Sequence, residues 1–166
     1  MKQLILIRHA KSDWNELGAS DFERSLNHRG KHDAPIMGKR LAARLASDAR
    51  QLDAFVCSSA RRAEQTAMLL APEIGFSASS IDWRRELYLA SPATMLQVIR
   101  ALSDAIETAV LLAHNPGISE LAERLTRQSI YDMPTCGMVT IALPVTQWVE
   151  AGGRAELTDF DFPKKA

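Results

Sequence analysis

Gln3-Leu4-Ile5-Leu6-Ile7-Arg8-His9-Ala10-Lys11-Ser12 begins with an apolar run that ends abruptly in charge. A run that is apolar at every position, not at alternate ones, marks a strand buried on both faces of a parallel sheet. The pattern recurs at 53–57 (Asp-Ala-Phe-Val-Cys), at 109–113 (Ala-Val-Leu-Leu-Ala, leading into His114) and at 139–143 (Val-Thr-Ile-Ala-Leu). A last strand fits 155–160. Helical stretches separate these runs, at 34–47, where Met37, Leu41 and Leu45 recur four apart, and at 60–71, 92–103 and 117–128. Alternating strands and helices predict an α/β three-layer sandwich, with a central, mostly parallel sheet and helices on both faces.

Local signals refine this outline. Ser91-Pro92 and Asn115-Pro116 each place a side-chain acceptor at a cap position and a proline at the first helical position. Ser58 or Ser59 is a candidate cap for the helix beginning near Ala60. Residues 12–29 lack a period and hold Asp13, Trp14, Asn15, Asp21, Arg24, Asn27 and Arg29, which predicts a structured loop over one end of the sheet.

A chain of 166 residues fits one domain, 1–166, with a core of ordinary size. Apolar residues at 46% and charged residues at 24% place it among soluble globular proteins. The run 4–7 meets Arg8 and lacks a small-residue cleavage site, and no segment reaches the length of a membrane span, so a cytoplasmic protein is expected. The 20 basic and 20 acidic side chains cancel, which leaves no global field for nucleic acid or an anionic membrane. Any preference for an anion must come from a local cluster. Cys57 and Cys136 read as free, buried thiols, since one bridge is a poor framework for a domain of this size.

Such a cluster is predicted at one end of the sheet, because ligands of open α/β sheets sit beyond the carboxyl ends of the strands. His9 follows the first strand, Ser58 and Arg62 follow the second, and His114 follows 109–113. Arginine forks match phosphate oxygens and stay charged, and the helix start after Asn115-Pro116 adds a second anion-binding element. A neutral histidine there is able to attack phosphorus, splitting one hard displacement into two easier ones. A second, protonated histidine would stabilise the charge on the transferring oxygens.

These residues resemble the signature of the histidine phosphatase superfamily. Leu-Ile-Arg8-His9-Ala10-Lys11-Ser12 is similar to its Arg-His-Gly or Arg-His-Ala element, Ser58-Ser59-Ala60-Arg61-Arg62-Ala63-Glu64-Gln65-Thr66-Ala67 to its second, and Ala113-His114-Asn115-Pro116-Gly117 to its third. Together they span roughly residues 3–128, and Asp21 through Gly30 also resembles the SixA type of phosphohistidine phosphatase. Ser59 and Ala113 depart from the family's usual proline and glycine, at positions that supply no chemistry.

The resemblance implies a phosphoglycerate mutase-like fold and a covalent phosphohistidine on His9. Arg8, Arg62 and His114 complete the phosphate pocket, with Asn15 and Ser12 as further phosphate-side groups. Register favours Arg62 over its neighbour Arg61, because Arg62 immediately precedes the Ala-x-Gln-Thr portion. Glu86 is the candidate proton donor. A labile P–N bond needs little help from such a group, whereas a phosphate monoester needs one.

The implied substrate is a protein phosphohistidine; the alternatives are a small phosphorylated molecule, with Glu86 at work, and a non-catalytic phospho-ligand module. No cofactor or metal is implied, since arginine and histidine supply the positive charge. His28 and His32, four apart, read as surface residues despite a spacing compatible with a metal pair. Trp83 and Trp148 read as packing residues, while Trp14 lies beside the nucleophile loop.

Overall fold

The computed structural model describes residues 1–165. Strands β1 (Lys2–Arg8), β2 (Ala54–Ser58), β3 (Asp82–Arg84), β4 (Thr108–Ala113), β5 (Met138–Leu143) and β6 (Glu156–Asp161) form one sheet in the order β3-β2-β4-β1-β5-β6. The pairs β1/β4, β2/β4 and β2/β3 are parallel. Strands β5 and β6 run antiparallel to their neighbours, so the expected parallel order holds for four strands and stops at β1. An apolar run signals burial on two faces and carries no information on direction, which is why 139–143 read like the others.

Alternate residues of the central strands face opposite layers, as a two-residue repeat requires. Ile5, Ile7, Val110 and Leu112 pack with Met37, Leu41 and Leu70 of helices α1 (His28–Ser47) and α2 (Arg61–Ile74). Leu4, Leu6, Ala109 and Leu111 pack with Met95, Ile99, Leu121 and Leu125 of α3 (Pro92–Arg100) and α4 (Gly117–Thr126). The result is a three-layer α/β sandwich of the kind expected.

Helix α1 starts earlier than its apolar period implies, and takes residues 28–29 from the expected loop. Asn27 caps it by accepting from Gly30 N at 2.9 Å. Gly30 and Pro35 weigh against helix by propensity, but this cap and the seating of Gly30 against the loop after His9 prevail. A Cβ on Gly30 would lie 2.2 Å from the carbonyl oxygen of Lys11. The excursion between them closes on itself: Asn27 N donates to Lys11 O at 3.0 Å, Asp13 N donates to Ser25 O at 2.8 Å, and Ser12 bridges Leu26.

Ser91 caps α3 as expected, accepting from Thr94 N at 3.2 Å ahead of Pro92. Asn115 does not cap α4, whose cap position is Pro116. Its side chain instead donates to Asp132 Oδ1 at 2.6 Å and to Met133 O at 3.2 Å, and accepts from Ser119 Oγ at 2.5 Å. The cap of α2 is Ala60, with no capping side chain; Ser58 Oγ faces His114. Cys57 and Cys136 are free and buried, and burial raises both thiols, Cys136 to about 12.

Candidate active site

Because β2, β4 and β1 are adjacent and parallel, their carboxyl ends deliver Ser58, His114 and Arg8-His9 to one place. The cavity there, about 330 Å³, is lined by Arg8, His9, Ser12, Arg24, Arg62 and His114 among others. The His9 and His114 rings lie 5.0 Å apart.

His9 is buried, and its surroundings define its tautomer. Nδ1 lies 2.7 Å from the carbonyl oxygen of Ala10, which only accepts, so Nδ1 carries the proton. Nε2 lies 3.4 Å from Nε–H of Arg62, which only donates, so Nε2 keeps its lone pair. Burial holds His9 well below the ordinary histidine range, reinforced by His114 and by the charges of Arg62 and Arg8. The ring is therefore neutral, with its free nitrogen in the cavity region.

His114 is also held neutral. Burial, then the charge of Arg62, draws it down to about 3. Its Nε2 meets Ser58 Oγ at 2.8 Å, and its Nδ1 is buried without a partner among the described residues. The second histidine would stabilise phosphoryl charge if protonated; burial and three nearby arginines oppose that charge until an anion offsets them.

Arg62 is set by a group that sequence reasoning did not assign. One terminal nitrogen donates to Asp21 O at 2.6 Å, and the other donates to Asp21 Oδ2 at 3.2 Å. Asp21 also accepts from Arg24 at 3.0 Å and from the Tyr88 hydroxyl. The Tyr88 hydrogen bond, then those of Arg24 and Arg62, keep the Asp21 carboxylate ionised far below the usual range. Arg24 also donates to Ser12 Oγ, which ties that predicted phosphate-side hydroxyl to an arginine.

Arg8 reaches across to the segment before β5, donating to Met133 O at 2.7 Å with Asp132 Oδ1 at 3.9 Å. Thr66 of α2 joins the two halves of the site. Its Oγ1 donates to Arg62 O at 2.7 Å and accepts from Ala10 N at 3.0 Å.

Glu86 and Asn15 are not brought to the cavity, among whose lining residues neither appears. The Glu86 carboxylate pairs with Arg84 at 2.8 Å on a solvent-exposed turn. Asn15 is exposed, and its backbone N–H donates to Asp13 Oδ1 at 2.8 Å. Arg61 donates its backbone N–H to Phe22 O at 3.0 Å and does not line the cavity. His28 and His32 lie at the start of α1 with Arg29 and Asp33. No cluster of three His, Cys, Asp or Glu side chains suited to a metal occurs among the described residues. Likewise, no helix among them is long and apolar enough to cross a membrane.

A neutral buried histidine among three arginines, at the carboxyl ends of the parallel strands, is a candidate anion site of an α/β protein. The chain belongs to the histidine phosphatase superfamily (branch 1), whose model matches residues 4–90. An uncharacterized protein of Mycobacterium tuberculosis is 31% identical over 95% of this chain and 100% of its own length. An uncharacterized chloroplastic protein of Arabidopsis thaliana is 28% identical over 90% of this chain and 70% of its own. Among solved structures, a candidate phosphohistidine phosphatase SixA of Agrobacterium tumefaciens is 27% identical, with a TM-score of 0.79 over 98% of this chain and 99% of that one. The fold is also that of a protein histidine phosphatase SixA complexed with tungstate, at 20% identity and a TM-score of 0.79 over 97% of each chain.

Proposed function

We propose that this chain is a phosphatase that moves the phosphoryl group of a protein phosphohistidine first to Nε2 of His9 and then to water. The observation that carries this reading is the character of the carboxylates. Asp21, the one carboxylate lining the cavity among the described residues, is held ionised, and Glu86 is turned onto Arg84. Neither is a ready proton donor. A substrate with a good leaving group fits such a site, whereas an alkoxide leaving from a monoester would go unassisted.

In the first step the Nε2 lone pair forms the new N–P bond as the substrate's P–N bond breaks. The departing imidazole keeps that electron pair and takes a proton from solvent. His9 then carries phosphorus on Nε2 and a proton on Nδ1, a cation that the carbonyl oxygen of Ala10 stabilises at 2.7 Å. In the second step water attacks phosphorus, inorganic phosphate leaves, and neutral His9 returns.

Arg62 shifts its Nε–H from Nε2 to a phosphoryl oxygen as phosphorus arrives. Arg8, Arg24 and Arg62 supply the positive charge, so the reaction as proposed needs no metal. The buried Nε atoms of Arg8 and Arg24 and Nδ1 of His114 have no hydrogen-bond partners among the described residues. Bringing a dianion beside His114 raises its affinity for a proton, and the charged ring then supports the transition state.

The test is a panel of a histidine-phosphorylated phosphotransfer domain, free phosphohistidine, an aspartyl phosphate and phosphate monoesters, run on wild type, His9→Ala and Glu86→Gln. The reading requires fastest turnover of the phosphohistidine protein, no turnover by His9→Ala, and little effect of Glu86→Gln. Brisk monoester turnover that collapses in Glu86→Gln would establish the small-molecule alternative instead. Tight phosphate binding without turnover of any substrate would establish a binding module.

A further inference from the structure

The His9 cavity continues into a neighbouring cleft of about 400 Å³, and the two share Arg8, Lys11 and Thr135. Arg29 and Lys164 stand on the walls of that cleft, beside the apolar surfaces of Pro134, Phe162 and Pro163. Among the described residues its one lining carboxylate, Asp33, lies 3.6 Å from Arg29, and Asp132 lies 3.9 Å from Arg8, so four cations face two carboxylates. The chain as a whole is neutral, with 20 basic and 20 acidic side chains, which makes this a local concentration.

The cavity also carries exposed apolar side chains. Trp14 and Leu89 line the cavity yet are 76% and 57% exposed, and Tyr131, at 94%, adjoins the Asp132 that faces Arg8. Trp14 is nevertheless held in place, because the Arg24 guanidinium stacks 3.6 Å from its ring centroid. Leu89 has φ +50°, a left-handed conformation that strains a branched side chain. Burial does not offset that strain at an exposed position, and such strain collects at binding sites.

On the reading that the substrate is a phosphorylated protein, we propose that these features form one docking surface for an acidic protein. Trp14, Leu89 and Tyr131 pack beside its phosphorylated histidine, while its carboxylates seat among Lys11, Arg29 and Lys164. Charge complementarity selects this occupant, and aromatic side chains with arginine are the groups that protein interfaces favour. A small molecule filling the cavity would leave Tyr131 in water, whereas a protein face covers it.

The experiment compares an acidic phosphotransfer domain phosphorylated on histidine with free phosphohistidine as substrates. The enzymes are wild type, Tyr131→Ala and the double variant Arg29→Gln/Lys164→Glu. Both variants are expected to raise KM for the phosphoprotein about tenfold with kcat unchanged, and to hydrolyse free phosphohistidine at the wild-type rate. Raising salt should reproduce the loss in wild type and add little in the double variant. Phosphoprotein turnover by the variants as efficient as wild type overturns the docking surface alone. Equal losses on both substrates also overturn it, since they locate the defect in the chemistry. A wild type that ignores the phosphoprotein while hydrolysing free phosphohistidine overturns the protein-substrate reading, and the docking surface with it.

Discussion

Arg62 faces His9 with its Nε at 3.4 Å from Nε2, while both of its terminal nitrogens are held by Asp21. The arginine that meets His9 is therefore aimed by one residue of the loop opposite, through its backbone carbonyl and its carboxylate.

Asp21→Asn tests that aim. It removes a charged acceptor for Arg62, Arg24 and Tyr88, and it also removes the negative charge nearest an incoming phosphoryl group. The two effects separate in kinetics: kcat should fall about tenfold as Arg62 keeps its carbonyl anchor but loses its charged one, while KM stays level or falls. Steady-state rates on a phosphohistidine substrate check this, and a raised KM at unchanged kcat would contradict it.

Thr66→Val keeps the shape of the side chain and deletes one oxygen. Ala10 N is then left buried without its acceptor, and the tie between the nucleophile loop and Arg62 is lost. An unpaired buried donor costs about 1–3 kcal/mol. Thermal unfolding should register a lower Tm, and turnover should drop with it because Ala10 O orients His9.

Gly30→Ala places a methyl group against backbone, 2.2 Å from Lys11 O. Neither partner is a flexible side-chain end, so the loop after His9 or the start of α1 must shift. A loss of about 2–3 kcal/mol in chemical denaturation is expected. Gly18→Ala meets no neighbouring atom but sits at φ +77°, so its cost is confined to an exposed loop and turnover should survive.

Acid should weaken the fold in a defined window. The unfolded chain protonates His114 near 6.5, while burial and Arg62 hold the folded group down to about 3. Between those values the unfolded state binds the extra proton, so stability is full above the upper value and declines as pH falls through the window. Each pH unit is worth about 1.4 kcal/mol, giving a loss on the order of 3 kcal/mol by pH 4. Melting curves across this range should show the decline, a flatter profile in His114→Asn, and partial protection by tungstate or phosphate, which favour the charged ring.

Much of the site was legible because strand ends are easy to read. Arg8, His9 and His114 close apolar runs, and Arg62 is the second residue of the helix after another, so topology alone brings them to one end. Asp21, Arg24 and Tyr88 were harder. Asp21 and Arg24 stood among the polar residues of an aperiodic segment, which signalled function without saying which groups they would meet. Asp21 lies 41 residues from Arg62 and 67 from Tyr88, distances that only the loop's path explains. Met133 left no signal, because it acts through a backbone oxygen that every residue possesses. The direction of β5 and the use of Asn115 toward Asp132 share one cause, since both depend on how the chain returns after α4.

That return has a consequence for the order in which the protein becomes competent. Arg8 is held by the carbonyl of Met133, 125 residues downstream, and β1 gains its second neighbour only when 138–143 pairs with it. A nascent chain that has exposed all three sequence elements, through Gly117, still lacks the segment that steadies its first arginine. Contacts of such separation form late. The site therefore settles only after residues 133–143 have been made and folded back onto the first strand, well after all three sequence elements have emerged.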